Sequence, residues 1–177
     1  MIYPLPAVIV TCGTAERSNM LTVAWTGTVC TNPPMCYISV RPSRHSYPMI
    51  KETGEFTLNL TTAAMARATD WVGVRSGADY DKWAETGLTP HAGEAVGCPY
   101  IEESPLCIEC RVKTVLPLGS HDMFIADVVN VLADERYFDP ETDAFRLGDA
   151  NLLNYTHGHY YNQGELIGRF GFSVKKK

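Results

Sequence analysis

Apolar and β-branched residues recur along this chain in short runs separated by Gly, Pro and charged positions, a rhythm that predicts strands more often than helices. The runs "PAVIVTCG" (6–13), "NMLTVAWTGTVCT" (19–31) and "PMCYISVRP" (34–42) each close on Gly, Pro or Thr, and "EFTLNL" (55–60) alternates with period two. Two long runs, 106–118 and 121–134, flank Gly119-Ser120, a predicted hairpin turn. Gly27 marks an expected bulge or close approach within its strand.

Helical signals are fewer. Ser46 is placed to cap "SYPMIKETG", with Pro48 in the first turn and Gly54 as the stop. The alanine-rich 61–74 reads as a helix, and Asp79 is expected to cap a short one ending at Gly87. Residues 88–104, rich in Pro, Gly and His, read as a surface loop, and 139–152 as polar and turn-rich. Evenly spaced strands broken by short helices predict an antiparallel barrel with helical insertions; no G-x-G-x-x-G follows a strand, which argues against a Rossmann nucleotide site.

At 177 residues, 45% hydrophobic and 20% charged, the chain is expected to form one domain over 1–177 with a core that needs no staples. The net charge of −5, and the confinement of clustered lysines to Lys175-Lys176-Lys177, argue against nucleic acid as a partner. No leader or long apolar run is visible, so a cytoplasmic protein without membrane contact is expected. Cys107 and Cys110 have knuckle spacing but fall in a strand-like run, where positions three apart face opposite sides; they and the other four cysteines read as buried small hydrophobes. No metal site is expected.

Three stretches carry candidate chemistry. In "SVRPSRHSY" a strand ends, Pro42 turns the chain and a helix begins. Arg41, Arg44 and His45, the hydroxyls of Ser39, Ser43 and Ser46, and free N–H groups at the helix start would suit a terminal phosphate. The same residues also read as an ordinary strand–turn–helix junction. Around Trp25, backbone and threonines could run along a flat heterocycle, or Trp25 could simply be core. At the C-terminus, His157, His159, Tyr160 and Tyr161 crowd Gly158. Histidines two apart on a strand would share a face, but no third ligand is evident; a stacking or hydrogen-bonding wall and a packing or dimer cluster are the readings left open.

Taken in order, "YPLPAVIVTCG", "TVAWTGTVCTNPPMCYISVRPSRHSY", "TGEFTLNL", "ATDWVGVRSG", "DKWAETGLTP", "IEESPLCIEC", "LGSHDMFIADV" and "HGHYYNQGELIGRFGFSVKKK" make nearly the whole chain resemble the flavin reductase-like, FMN-binding split-barrel family, and within it the flavoredoxin-like branch. The resemblance implies a mainly β fold, a six-stranded antiparallel Greek-key split barrel with flanking helices, and a homodimer holding FMN non-covalently near the interface. It implies that Asn19, Thr22, Val23, Ala24 and Trp25 lie along the ring and ribityl chain. The phosphate would fall to Ser39, Arg41, Ser43, His45, Ser46 and Tyr47, with Asn59, His157 and Tyr160 approaching the cofactor. No catalytic residue is fixed, though His121 and His157 are candidates for hydrogen bonding near the flavin or substrate, and His121 reads equally as a satisfied hairpin residue. The implied activity is an oxidoreductase passing electrons from NAD(P)H or a protein donor through FMN to free flavin, ferric iron or a redox protein. A non-catalytic FMN-binding electron carrier or sensor is the alternative.

Overall fold

A computed structural model describes residues 2–174. The lysine tail 175–177 lies outside them. Seven strands, β1 (Val8–Gly13), β2 (Ser18–Val23), β3 (Thr26–Thr31), β4 (Pro34–Val40), β5 (Glu55–Leu60), β6 (Leu106–Pro117) and β7 (Asp122–Ala133), form one sheet in the order β2-β1-β5-β6-β7-β4-β3. Every pairing is antiparallel. The strands β2 and β3 stand at opposite edges of that order, yet only Ala24 and Trp25 separate them in sequence. The three Cα–Cα steps from Val23 to Thr26 reach at most about 11 Å, far less than the width of a flat seven-stranded sheet, so the edges must be brought together by curling the sheet into a barrel. The seam is joined where Ser39 N–H donates to Trp25 O at 2.9 Å. Counted this way, 18–31 is one strand that changes partner halfway, from β1 to β4. That reconciles the six expected strands with the seven observed.

Period-two alternation fills the barrel. Val8, Val10, Cys12, Leu21, Val23, Ile38, Val40, Phe56, Leu58, Phe124 and Ala126 point inward. The strand β1 reads as a continuous apolar run because its other face is covered too: Ile9 packs with Met20, Met65, Val72, Leu88 and Ile101 beneath the helices. The polar face of β5 is likewise sealed. Thr57 and Asn59 are fully buried under 97–104, where Asn59 Oδ1 accepts Ile101 N–H at 2.9 Å and Thr11 Oγ1 donates to Pro99 O. The expected surface loop 88–104 is therefore a cover, with a two-strand ladder (Pro90–His91 with Tyr100–Ile101) and buried Val96 and Cys98.

Three helices flank the barrel: α1 (Ser46–Thr53), α2 (Ala66–Val74) and α3 (Lys82–Thr86). Two expected caps differ. Ser46 is the first helical residue, because a turn (Arg44 N–H to Arg41 O) starts the coil early and puts His45 at the cap position without a side-chain bond. Asp81, not Asp79, caps α3, accepting from the N–H groups of Trp83 and Ala84. Gly54 and Gly87 end their helices in the left-handed region, as expected, and Gly119 turns the β6–β7 hairpin. The bulge in β3 falls near Val29, while Gly27 lies against the Tyr37 ring. Among the described residues no helix is long and apolar enough to cross a membrane.

Candidate functional site

The seam strand β2 is bonded on one side only, to β1. Its outward carbonyl at Met20 is taken by Lys82 Nζ at 2.8 Å, and alternation turns the N–H and C=O of Thr22 the same way. The helix α2 lies alongside. Thr22 Oγ1 donates to Thr69 O, and Gly73 permits the approach, since a Cβ there would stand 3.1 Å from Thr22 Cβ. The result is a groove with β2 as floor, α2 and its following loop as one wall, and the 41–46 turn as the other.

Two adjoining cavities occupy the groove. The first, about 170 Å³, is lined by the backbone and side chains of Thr22, Val23, Ala24 and Trp25, by Ser39 and Arg41, and by His121 from the β6–β7 turn. Trp25 and His121 face each other with ring centroids 4.5 Å apart, and Ser120 Oγ sits 3.0 Å from His121 Nδ1. Desolvation, then the charges of Arg41 and Arg44, hold the His121 imidazole below its ordinary pKa. The second cavity, about 370 Å³, shares Leu21, Thr22, Arg41 and Arg44 with the first and adds Asn19, Ser43, His45, Ser46 and Lys82. No Asp or Glu lines either cavity, in a chain with 20 acidic and 15 basic residues. The start of α1 opens toward this cavity with no acidic residue in its first turn. The arrangement is an anion site beside a shallow slot for a flat group.

Lys82 is the group that composition could not place. It is buried, its Nζ bridges Met20 O on β2 and Val72 O on α2 (2.8 and 2.7 Å), and it is charge-repelled by Arg44. Burial first, then Arg44, push its pKa down to about 8. Arg44 reaches across the groove to Gly73 O at 3.3 Å, and Arg75 lies over the Tyr80 ring. The "VRSG" loop (74–77) also lines the second cavity. Its sequence signal was visible only as two basic or hydroxyl residues before a glycine.

Gly77 shows why that glycine matters. A Cβ there would lie 2.2 Å from Asn19 Oδ1, and Asn19 Nδ2 donates to Ser46 Oγ at 2.7 Å, fixing the hydroxyl at the start of α1. Gly77→Ala is expected to displace the Asn19 amide and weaken an anion bound beside Ser46 about fivefold, roughly the loss of one neutral hydrogen bond. A phosphate-ligand titration with the melting temperature measured alongside checks this.

Several expected residues are not gathered here. Asn59 is sealed in the core, donating to Ile9 O and Thr11 Oγ1. Tyr47 turns away to donate to Asp122 Oδ2 at 2.5 Å and packs edge-on against Phe124. His157 occupies the tight turn between Asn154–Thr156 and His159–Tyr161 with φ 47°, so it does not share a strand face with His159. Tyr160 donates to Asp70 Oδ1 on the outer side of α2. Cys107 and Cys110 part company: one thiol meets Ile101 O, the other lies 3.4 Å from Cys36 Sγ inside the barrel. Among the described residues no three metal-ligating side chains cluster.

Residues 1–164 match the family model described as flavin reductase like domain. The solved flavoredoxin of Desulfovibrio vulgaris (Miyazaki F) is 30% identical with a TM-score of 0.90, over 99% of this chain and 95% of that one. A flavoredoxin from Methanosarcina acetivorans is 26% identical, TM-score 0.87, with the same coverage. The FMN reductase (NADH) RutF of Enterobacter cloacae is 25% identical over 71% of this chain and 73% of its own.

Proposed function

Since this chain belongs to the flavin reductase-like domain family, we propose that its groove holds FMN non-covalently and that the protein is an FMN-dependent oxidoreductase. The observation that carries the proposal is the carboxylate-free cationic cavity adjoining a slot that Trp25 and His121 line together. That donor set fits a planar ring with a terminal phosphate. Arg41 and Arg44, the hydroxyls of Ser43 and Ser46, and the Ser46 N–H at the start of α1 would take the phosphate; the next two positions offer no donor, because Tyr47 N–H is bonded to Arg44 O and Pro48 has none. The outward N–H and C=O of Thr22 and the backbone of Val23 and Ala24 would meet the polar edge of the ring, with Trp25 beside it. When bound, FMN supplies the two-electron chemistry; the protein supplies placement and electrostatics. Burial first, then Arg41 and Arg44, hold the His121 imidazole below its ordinary pKa, and with Nδ1 engaged by Ser120 Oγ its Nε2 is the nitrogen left for a ligand in the slot.

A slot of about 170 Å³ falls below the roughly 300–1,000 Å³ typical of pockets that enclose a ligand. A second copy is the natural missing wall. Exposed Leu118, Val129 and Val131 on the barrel, and Leu166, Ile167 and Phe170 on the C-terminal arm, support a homodimer in which His157 and Tyr160 of one protomer stand near the cofactor of the other.

NADH, NADPH or a protein donor would deliver electrons, and free flavin, ferric iron or a redox protein would accept them. Anaerobic mixing of the FMN-loaded protein with NADH and with NADPH, followed by each acceptor, tests this. Bleaching of flavin absorbance and turnover well above free FMN are expected. Turnover no faster than free FMN would leave an electron carrier or sensor instead.

Lys82 gives the site a pH signature. Its native pKa, about 8, lies under the ordinary value of 10.5, so between those values the folded protein binds fewer protons than the unfolded chain. Stability of the flavin-free protein therefore rises with pH across that window. FMN affinity is expected to move oppositely, falling as pH climbs past about 8 and the ammonium beside the phosphate is lost, while riboflavin affinity stays flat. Titrations at pH 7 to 10 with both ligands read the difference.

A further inference from the structure

The slot and the anion cavity are furnished by turns far apart in the chain, and one side-chain bond behind them ties those turns together. His121, which faces Trp25 across the slot, ends the β6–β7 turn, and Ser46, which lines the anion cavity, opens α1. The residue after each lines neither cavity. Asp122, only 9% exposed at the start of β7, accepts from the Tyr47 hydroxyl at 2.5 Å, and among the described residues no other side chain donates to that carboxylate. A carboxylate so buried needs such a partner. Packing braces the bond. The Tyr47 ring meets Phe124 of β7 edge-on with centroids 5.5 Å apart, and Lys51 Nζ stands 5.5 Å from the Tyr47 centroid.

Beyond Asp122 the turn is held mostly by itself. Leu118 N–H donates to His121 O, and Ser120 Oγ sits 3.0 Å from His121 Nδ1. Asp122 is where the turn is fastened to the barrel, through pairing with Val40 of β4 and through Tyr47. Adjacent residues of extended chain face opposite sides, so holding Asp122 inward also sets the direction in which His121 projects. We propose that the Tyr47–Asp122 pair positions the flavin site from behind: it sets His121 against Trp25 and fixes the spacing between the slot and the Ser46 end of the anion cavity. This role rests on the FMN reading above, and in it Tyr47 touches neither ring nor phosphate. Loss of the bond therefore reaches riboflavin and FMN alike, whereas loss of a phosphate contact would spare riboflavin.

Tyr47→Phe tests this, since it keeps the ring against Phe124 and removes the donor; Asp122→Asn keeps an acceptor and serves as the conservative rescue. Proton NMR of the flavin-free proteins reads the His121 ring protons, whose shifts depend on the Trp25 ring, and their Overhauser contacts to Trp25. Tyr47→Phe is expected to move those resonances and weaken those contacts, and Asp122→Asn to retain both. Fluorescence titrations should show Tyr47→Phe weakening riboflavin and FMN by the same factor, about fivefold for one neutral hydrogen bond, with Asp122→Asn within about twofold of wild type. Should Tyr47→Phe not fold, Asp122→Ala removes the acceptor and is read in the same way. Unmoved His121 resonances, a loss confined to FMN, or an Asp122→Asn protein as impaired as Tyr47→Phe overturns the proposal. Failure of the wild type to bind either flavin overturns the FMN reading instead, and the NMR comparison, made without flavin, still decides what holds His121.

Discussion

Arg41→Ala is expected to weaken FMN by about 10- to 100-fold and to leave riboflavin nearly unchanged, since one charge-assisted contact contributes roughly 1.5–3 kcal/mol and every 1.4 kcal/mol is tenfold. The two ligands differ only in the phosphate, and Arg41 lines both the phosphate cavity and the ring slot. Equal losses for the two ligands would place Arg41 against the ring and vacate the phosphate assignment. The guanidinium is exposed, and its removal should leave the fold intact, so the melting temperature of the flavin-free protein should move little. A side effect is a rise in the His121 pKa, because one of its two repelling cations is gone. That shift is readable from the C2 proton of the imidazole by NMR.

Glu109→Ala is expected to destabilise the protein by about 3 kcal/mol, lowering the melting temperature by roughly 6–12 °C for a chain of this size. Glu109 is fully buried on β6, and its carboxylate accepts the N–H groups of Glu94 and Ala95 (2.7 and 2.8 Å) and Asn130 Nδ2 (3.0 Å). Alanine leaves those donors without partners in a place water cannot easily reach. It also frees the 92–97 stretch. Glu109→Gln keeps the shape and one acceptor, so it should cost less. Thermal unfolding of the three proteins decides; equal melting points would mean that the loop holds itself.

Strand identities were legible because each strand has one face in the barrel, and alternation records that face directly. Helix capping was less legible, because several polar residues compete at each helix start. Asp79 and Asp81 both precede α3, and only the backbone path decides which carboxylate reaches the first amides. Asn59 misled for a related reason. A polar residue on a β5 face that alternates looks solvent- or ligand-facing, but the segment 97–104 folds over it, and nothing local in the sequence announces a cover contributed from forty residues away. The grouping of Arg41, Ser43, Arg44, His45 and Ser46 around one cavity was readable because they are contiguous in sequence. Its opposite wall was not, since Arg75, Gly77 and Lys82 meet it only after α2 has crossed the barrel. Lys82 in particular has the sequence context of a surface helix and the environment of a core residue. Its aliphatic stem and two carbonyl partners make that burial tolerable.

The two-residue crossing at Ala24 and Trp25 has a consequence for endurance as well as for binding. Those residues are at once the zipper pull of the cylinder and the proposed bed of the isoalloxazine, so a flavin seated there would be shed if the cylinder parted. Loaded protein should accordingly resist heat and proteases more than empty protein, by an increment that grows with the logarithm of free flavin. Amide exchange in 22–26 and 38–40 should slow on loading more than anywhere else in the chain.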